Sequence, residues 1–129
     1  MKQTQKIFLS TAAVLGFTGV ALGAFGAHGL TSVLSPEALS VFDTAVRYHM
    51  YHALSLFVVG ILLHFNNQRF LLFAGWSFIV GVILFSGSLY VMTIGNIRGV
   101  GVITPLGGIG FLAGWLFLLL SVLKRKMEN

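Results

Sequence analysis

The chain reads as four long apolar blocks separated by short polar breaks. The first runs from about Ile7 to Ala27, with Lys2 and Lys6 ahead of it, and is closed by "GAFGAHGL" (Gly23–Leu30). The second follows Ser35-Pro36-Glu37, a helix start with Ser35 as N-cap, Pro36 at the first helical position and Glu37 where the helix dipole favours an acid. No breaker comes before Asn66-Asn67, so the pattern predicts one helix from Pro36 to Phe65, roughly 45 Å long at 1.5 Å per residue. That exceeds the ~30 Å hydrocarbon core of a bilayer, which leaves the stretch with Asp43 and Arg47 outside it or along the interface and puts the membrane entrance near Tyr48–Tyr51. A third block covers about Phe70–Thr93, and a fourth opens on Thr104-Pro105, a second cap-plus-proline start, and ends before Lys124-Arg125-Lys126. The expected spans are about 7–28, 47–65, 70–93 and 104–123, with 30–46 an outer loop and interfacial helix start, in a single domain over residues 1–129.

Composition agrees with this pattern. Of 129 residues 57% are hydrophobic and 9% charged, and the mean hydropathy is +0.94. A soluble domain this small needs a far more polar surface. The fold class expected is therefore an all-α membrane protein, an antiparallel bundle of four transmembrane helices with the lipid bilayer as its first partner. The opening block competes with a signal peptide cleaved near Ala24, but about 20 apolar residues is long for a signal and suits a retained span. A net charge of +5 suggests nucleic acid, yet the basic residues sit at the edges of apolar blocks, so no nucleic-acid partner is expected. Twelve Phe residues are lipid-facing and packing groups, and the lack of Cys excludes disulfides, thiolate metal sites and a lipoprotein anchor.

The positive charges set an orientation. Lys2, Lys6, Arg69, Lys124, Arg125 and Lys126 fall on one side, and Arg47 and Arg98 on the other. The richer side is expected to be cytoplasmic, giving a multi-pass plasma (inner) membrane protein with both termini inside and no dual topology.

Because no hydrophobic force draws helices together in lipid, small residues must permit close contact. Gly16, Gly19, Gly23 and Gly26 share one face of the first span; Ala74, Ser77, Gly81 and Ser88 mark the third, and Gly107, Gly110 and Gly114 the fourth. The plain use of these seams is intramolecular packing, and a homo-oligomer interface is the second. At the end of the first span Gly29 fits a left-handed C′ position, with Leu30 as C″ and Phe25 as C3 of a Schellman ending.

Polar residues converge on an outer layer: His28, His49, His52, Ser86, Ser88, Tyr90 and Thr104. The inner half holds little beyond Ser10, Thr11, Ser55, Ser77 and Ser121, so the layer describes a shallow outer site or an interfacial collar rather than a pore. His49 and His52 share a helix face with Ala45 and Leu56, while Asp43 and Arg47 form a surface pair on the opposite one. His49, His52 and His28 make three nitrogen ligands for zinc or copper, or haem ligands, only through a tertiary coincidence. Hydrogen bonding to water, lipid or backbone is the simpler reading, and no metal or cofactor is expected. A Ser–His dyad with "FSGSLY" (Phe85–Tyr90) lacks a carboxylate or oxyanion motif, so no catalytic residues are assigned and an enzyme is not expected. Tyr48 and Tyr51 read as an aromatic belt, His64 as a turn residue, and His28 as a cap on the negative end of the helix dipole. Proton-coupled export needs an acid in the membrane, whereas Glu37, Asp43 and Glu128 all lie outside the spans.

Taken together, "GAFGAHGL", "YHMYHALSL", "FSGSLY" and "ITPLGGIGFLAGW" resemble one family over about Gly16 to Trp115: the bacterial membrane proteins called domain of unknown function 423, with the eukaryotic transmembrane protein 256-like proteins. The resemblance implies a retained first span and a small plasma-membrane protein, and brings no established activity. Members often carry Gln where this chain has His49, which implies hydrogen bonding rather than metal ligation there and leaves His28 and His52 as the pair of interest. The function expected is a non-enzymatic packing or binding module whose outer polar site meets a lipid headgroup or a protein. The alternative is a small-solute or ion transporter or channel made by oligomerisation.

Overall fold

The computed structural model describes residues 2–127, with side chains up to Arg125; Glu128 and Asn129 lie outside the described residues. The described residues form four α-helices, α1 (Gln3–His28), α2 (Pro36–Phe65), α3 (Arg69–Ile94) and α4 (Thr104–Met127), with a short 3-10 helix, Arg98–Val102, between the last two. All four helical segments are long and apolar enough to cross a membrane. Ser35 starts α2 as its chemistry dictates: its hydroxyl accepts from the Ala38 amide at 3.2 Å, and Pro36 follows in the first turn. Asn66 stops it in extended conformation.

Two helix ends differ from the sequence expectation. Gly29 is the C-cap of α1 and is right-handed (φ −83°, ψ −29°), not a left-handed C′ residue. The helix instead closes by bringing both the Gly29 and Leu30 amides onto the Phe25 carbonyl, at 2.7 and 3.2 Å. A Cβ there would lie 2.7 Å from the Phe25 ring, so a larger residue would push that ring aside. Thr104 likewise begins α4 without capping it, because its hydroxyl is engaged with Ser88 of α3 at 2.5 Å. Among the described residues the left-handed one is Asn96 (φ 52°), just past α3, a position Asn tolerates better than most side chains.

Chain neighbours pack antiparallel, α1 on α2, α2 on α3 and α3 on α4. The most buried pair is α2 and α3, flanked by α1 and α4. The starts of α1 and α3 and the ends of α2 and α4 define one end of the bundle, called here the near end. Its apolar core is Phe8, Ala12, Leu56, Val59, Leu63, Leu71, Ala74 and Phe78.

Glycines let the helices approach. Gly19, Gly23 and Gly26 of α1 face Met50, Val46 and Phe42 of α2. Gly107, Gly110 and Gly114 of α4 meet Phe85, Gly81 and Phe78 of α3, and Gly81 also seats the Phe111 ring. Gly16 does not belong to this seam, since a Cβ there meets nothing within 4 Å. Two glycines outside the expected seams do pack closely: Gly60 receives Leu9, and Gly75 receives Phe8, a ring fully buried between α1 and α3.

Candidate functional site: a hydrogen-bonded layer and an aromatic groove

The far end of the bundle holds the polar residues, and the structure distributes them over separate places. His49, 4% exposed, points between α1 and α3. Its Nε2 is 2.8 Å from the Leu15 carbonyl and 3.3 Å from the Thr18 hydroxyl, and its Nδ1 is 2.8 Å from the Tyr90 hydroxyl. A carbonyl only accepts, so Nε2 carries the proton and the Tyr90 hydroxyl donates to Nδ1. One ring thus ties α2 to both α1 and α3.

His52, also 4% exposed, takes the opposite tautomer. The Trp115 indole N–H of α4 is 3.1 Å from Nε2 and can only donate, so the proton sits on Nδ1, 2.7 Å from the Tyr48 carbonyl. The ring also stacks on Phe111, centroid to centroid 3.5 Å at 6°. Ser86, fully buried, donates to the Ala45 carbonyl at 2.8 Å and closes α2 onto α3. Ser88 donates to the Phe85 carbonyl and accepts from Thr104, fixing the start of α4.

His28 stands apart, exposed at the end of α1, and does not meet His52. Both nitrogens of His49 and of His52 are taken up by partners on their own or neighbouring helices. A metal ion would have to displace Tyr90 or Trp115 to reach a lone pair, and no group of three or more His, Asp or Glu side chains converges among the described residues. Arg47 and Asp43 make an exposed ion pair on the outer face of α2.

Beside the polar layer lies a feature that sequence reading missed. A groove of about 600 Å³ opens between α2 and α4 with Phe85 of α3 as its floor. Its walls are Tyr48, Tyr51 and His52 on one side and Phe111 and Trp115 on the other, with Gly108 and Leu112 on the rim. Tyr48 packs on Phe85 at 4.8 Å between centroids. The lining is almost wholly carbon, because the one buried imidazole in it is already hydrogen-bonded. The i, i+4 spacing of Phe111 and Trp115 put both on one face of α4, but nothing in the sequence said that this face meets His52.

Large apolar side chains are exposed all round the molecule, Phe17 at 78%, Leu112 at 72% and Val14 at 61% among them. In water such a surface is an aggregation hazard; in a bilayer it is the solvated face. Fold and surface together define an integral membrane protein built of four membrane-crossing helices.

More particularly, the chain belongs to the family described as "Protein of unknown function (DUF423)", which matches residues 22–108. It is 44% identical to the UPF0382 membrane protein SH2409 of Staphylococcus haemolyticus over 92% of this chain and 97% of that one. It is 42% identical to the UPF0382 membrane protein YwdK of Bacillus subtilis over 92% and 98% of the two chains. With the UPF0382 inner membrane protein YgdD of Escherichia coli the identity is 34%, over 98% and 96%. No solved structure matches.

Proposed function

We propose that this protein is a non-catalytic, lipid-binding module of the plasma membrane, with both termini in the cytoplasm and the aromatic groove as its binding surface. The observation that carries the reading is the groove itself. It runs from the expected membrane entrance at Tyr48–Tyr51 into the apolar stretch of α2 and α4, and its lining offers mostly carbon surface, with the tyrosine hydroxyls at its outer end. A lipid chain is the occupant that this wall chemistry fits. The hydrogen bonds of His49 and His52 occupy both nitrogens of each ring, which supports a structural role for them over catalysis or ion conduction. The orientation rests on the charge bias of the connecting segments.

The test is the lipid that stays with the purified protein. Wild type is expected to keep about one lipid per chain through detergent exchange. Gly108→Leu fills the groove from the rim, where a Cβ has its nearest neighbour at 4.0 Å, and is expected to fold and lose that lipid. Retention unaffected by Gly108→Leu, or ion or metabolite flux through reconstituted wild type, overturns the proposal. A reporter fused at residue 129 that is active only when exported overturns the orientation.

A further inference from the structure

The near end contains a cavity unrelated to the aromatic groove, with an apolar lining into which a few polar side chains project. It has a volume of about 100 Å³ and is bounded by Leu62 and Asn66 at the end of α2, Gln68 and Leu71 at the start of α3, and Ser121 and Arg125 on α4. Gln68 is the N-cap residue of α3, yet its side chain makes no capping bond. Both its amide atoms, Nε2 and Oε1, are buried without a hydrogen-bond partner among the described residues.

A buried amide with neither donor nor acceptor satisfied is unfavourable and rare in folded proteins. The group that completes it must offer an acceptor to Nε2–H and a donor to Oε1. The wall adds a sign preference. Arg125 lines the same cavity, and among the described residues the ion pair found is that of Arg47 with Asp43. Arg69, next in sequence to Gln68, and Lys124, whose Nζ is 5.9 Å from the Phe70 ring centre, add positive charge at this end. Water supplies donor and acceptor to the amide but brings no negative charge to the Arg125 guanidinium.

We propose that this cavity is a binding site for a phosphate ester bearing a free hydroxyl, with Arg125 and the Gln68 amide N–H on the phosphate oxygens and Gln68 Oε1 accepting from the hydroxyl. The guanidinium fork suits phosphate oxygens, and a basic pocket between helix ends is where a membrane protein meets headgroups. Phosphoglycerol has this chemistry, either as the headgroup of phosphatidylglycerol or as free glycerol 1-phosphate. Reaching it requires Gln68 to turn its terminal amide into the cavity, a rotation about a soft torsion.

The experiment uses the full chain in detergent micelles, with phosphatidylglycerol and phosphatidylcholine of matched chains as probes and native mass spectrometry as the readout. Both probes carry the phosphate, but only phosphatidylglycerol offers a hydroxyl to Gln68 Oε1 and lacks a choline cation that Arg125 would repel, so wild type is expected to retain it about tenfold over phosphatidylcholine, the worth of about one hydrogen bond. Gln68→Glu keeps the shape but replaces the donor by a carboxylate, and Arg125→Gln removes the charge; each is expected to bring the ratio to about one. Gln68→Leu removes the unsatisfied amide, so it is expected to fold at least as well as wild type while also losing the preference. Gly108→Leu is expected to lose the lipid that the groove holds by its chain, whichever headgroup it bears, and to keep the phosphatidylglycerol held here, which separates this site from the groove. Millimolar glycerol 1-phosphate displacing the lipid assigns the site to the free ester, and failure to displace it assigns the site to the lipid. If wild type retains both lipids equally, or if Gln68→Glu or Gln68→Leu keeps the preference, the proposal is wrong and the cavity holds water.

Discussion

Two adjacent glycines of α4 give a sharp test of how the helices are held. A Cβ placed on Gly107 would lie 2.6 Å from the Cα and 2.7 Å from the Cβ of Phe85, with the Phe85 amide nitrogen closer still. These are backbone atoms of α3 and cannot swing aside. Restoring ordinary carbon–carbon separation means moving the helices apart by about 1 Å. Neighbouring contacts resist that shift: Gly110 packs on the Gly81 backbone, and Ser88 is bonded to Thr104 at 2.5 Å. Overpacking of this kind costs roughly 1–3 kcal/mol, while alanine recovers at most about 1 kcal/mol of helix propensity. Gly107→Ala is therefore expected to destabilise by about 1–2 kcal/mol. At Gly108 the nearest atom to a new Cβ is 4.0 Å away, so Gly108→Ala keeps the propensity gain of about 0.5–1 kcal/mol. The two variants should differ by about 1.5–3 kcal/mol. Unfolding in mixed micelles, followed by helical circular dichroism as denaturing detergent is added, measures both. Gly107→Ala as stable as wild type, or Gly108→Ala losing as much as Gly107→Ala, refutes the packing account.

Other outcomes follow from the same geometry. His49→Gln should keep the link between Leu15 and Tyr90, because an amide has both a donor and an acceptor, whereas His49→Leu strands the Tyr90 hydroxyl and should cost about 1–3 kcal/mol in the same titration. Gly16→Ala should stabilise by up to about 1 kcal/mol, since nothing lies within 4 Å of the new methyl; Gly75→Ala should destabilise, since the buried Phe8 ring occupies that space. Asp43→Ala should leave the unfolding midpoint unchanged, because both members of its ion pair are 61% exposed. A measurable shift for Asp43→Ala would mean that this face of α2 has a partner.

How legible the chain is depends on the range of the interaction. Local chemistry could be read directly: Ser35-Pro36-Glu37 opens a helix because the hydroxyl, the fixed proline torsion and the dipole act within one turn, and Asn66 lies where that helix stops. The family, too, was legible, because its four motifs stand in order along the chain. Local patterning misled where a tertiary contact competed for the same group. Gly29 was expected to be left-handed, but the nearby Phe25 ring and carbonyl set its role; Thr104 was expected to cap, but Ser88 took its hydroxyl. Gly16 sits on the glycine stripe of α1 at a spacing that matches the seam, yet α2 does not pass beneath it.

By itself, then, the sequence determined the solvent and the elements: four apolar runs too long and too uniform for water, with breaks where capping and turn residues fall. Only the tertiary structure decided what the polar residues do. It sent His49 and His52, three positions apart on one helix, to different neighbours: one to Leu15 and Tyr90, the other to Trp115 and Phe111. It left His28 alone, and it made a groove from three helices and a cavity around Gln68 that no run of residues announces. The physical reason is that periodicity fixes which residues share a helix face, while the facing partner is set by close contact between glycines and rings far apart in the chain.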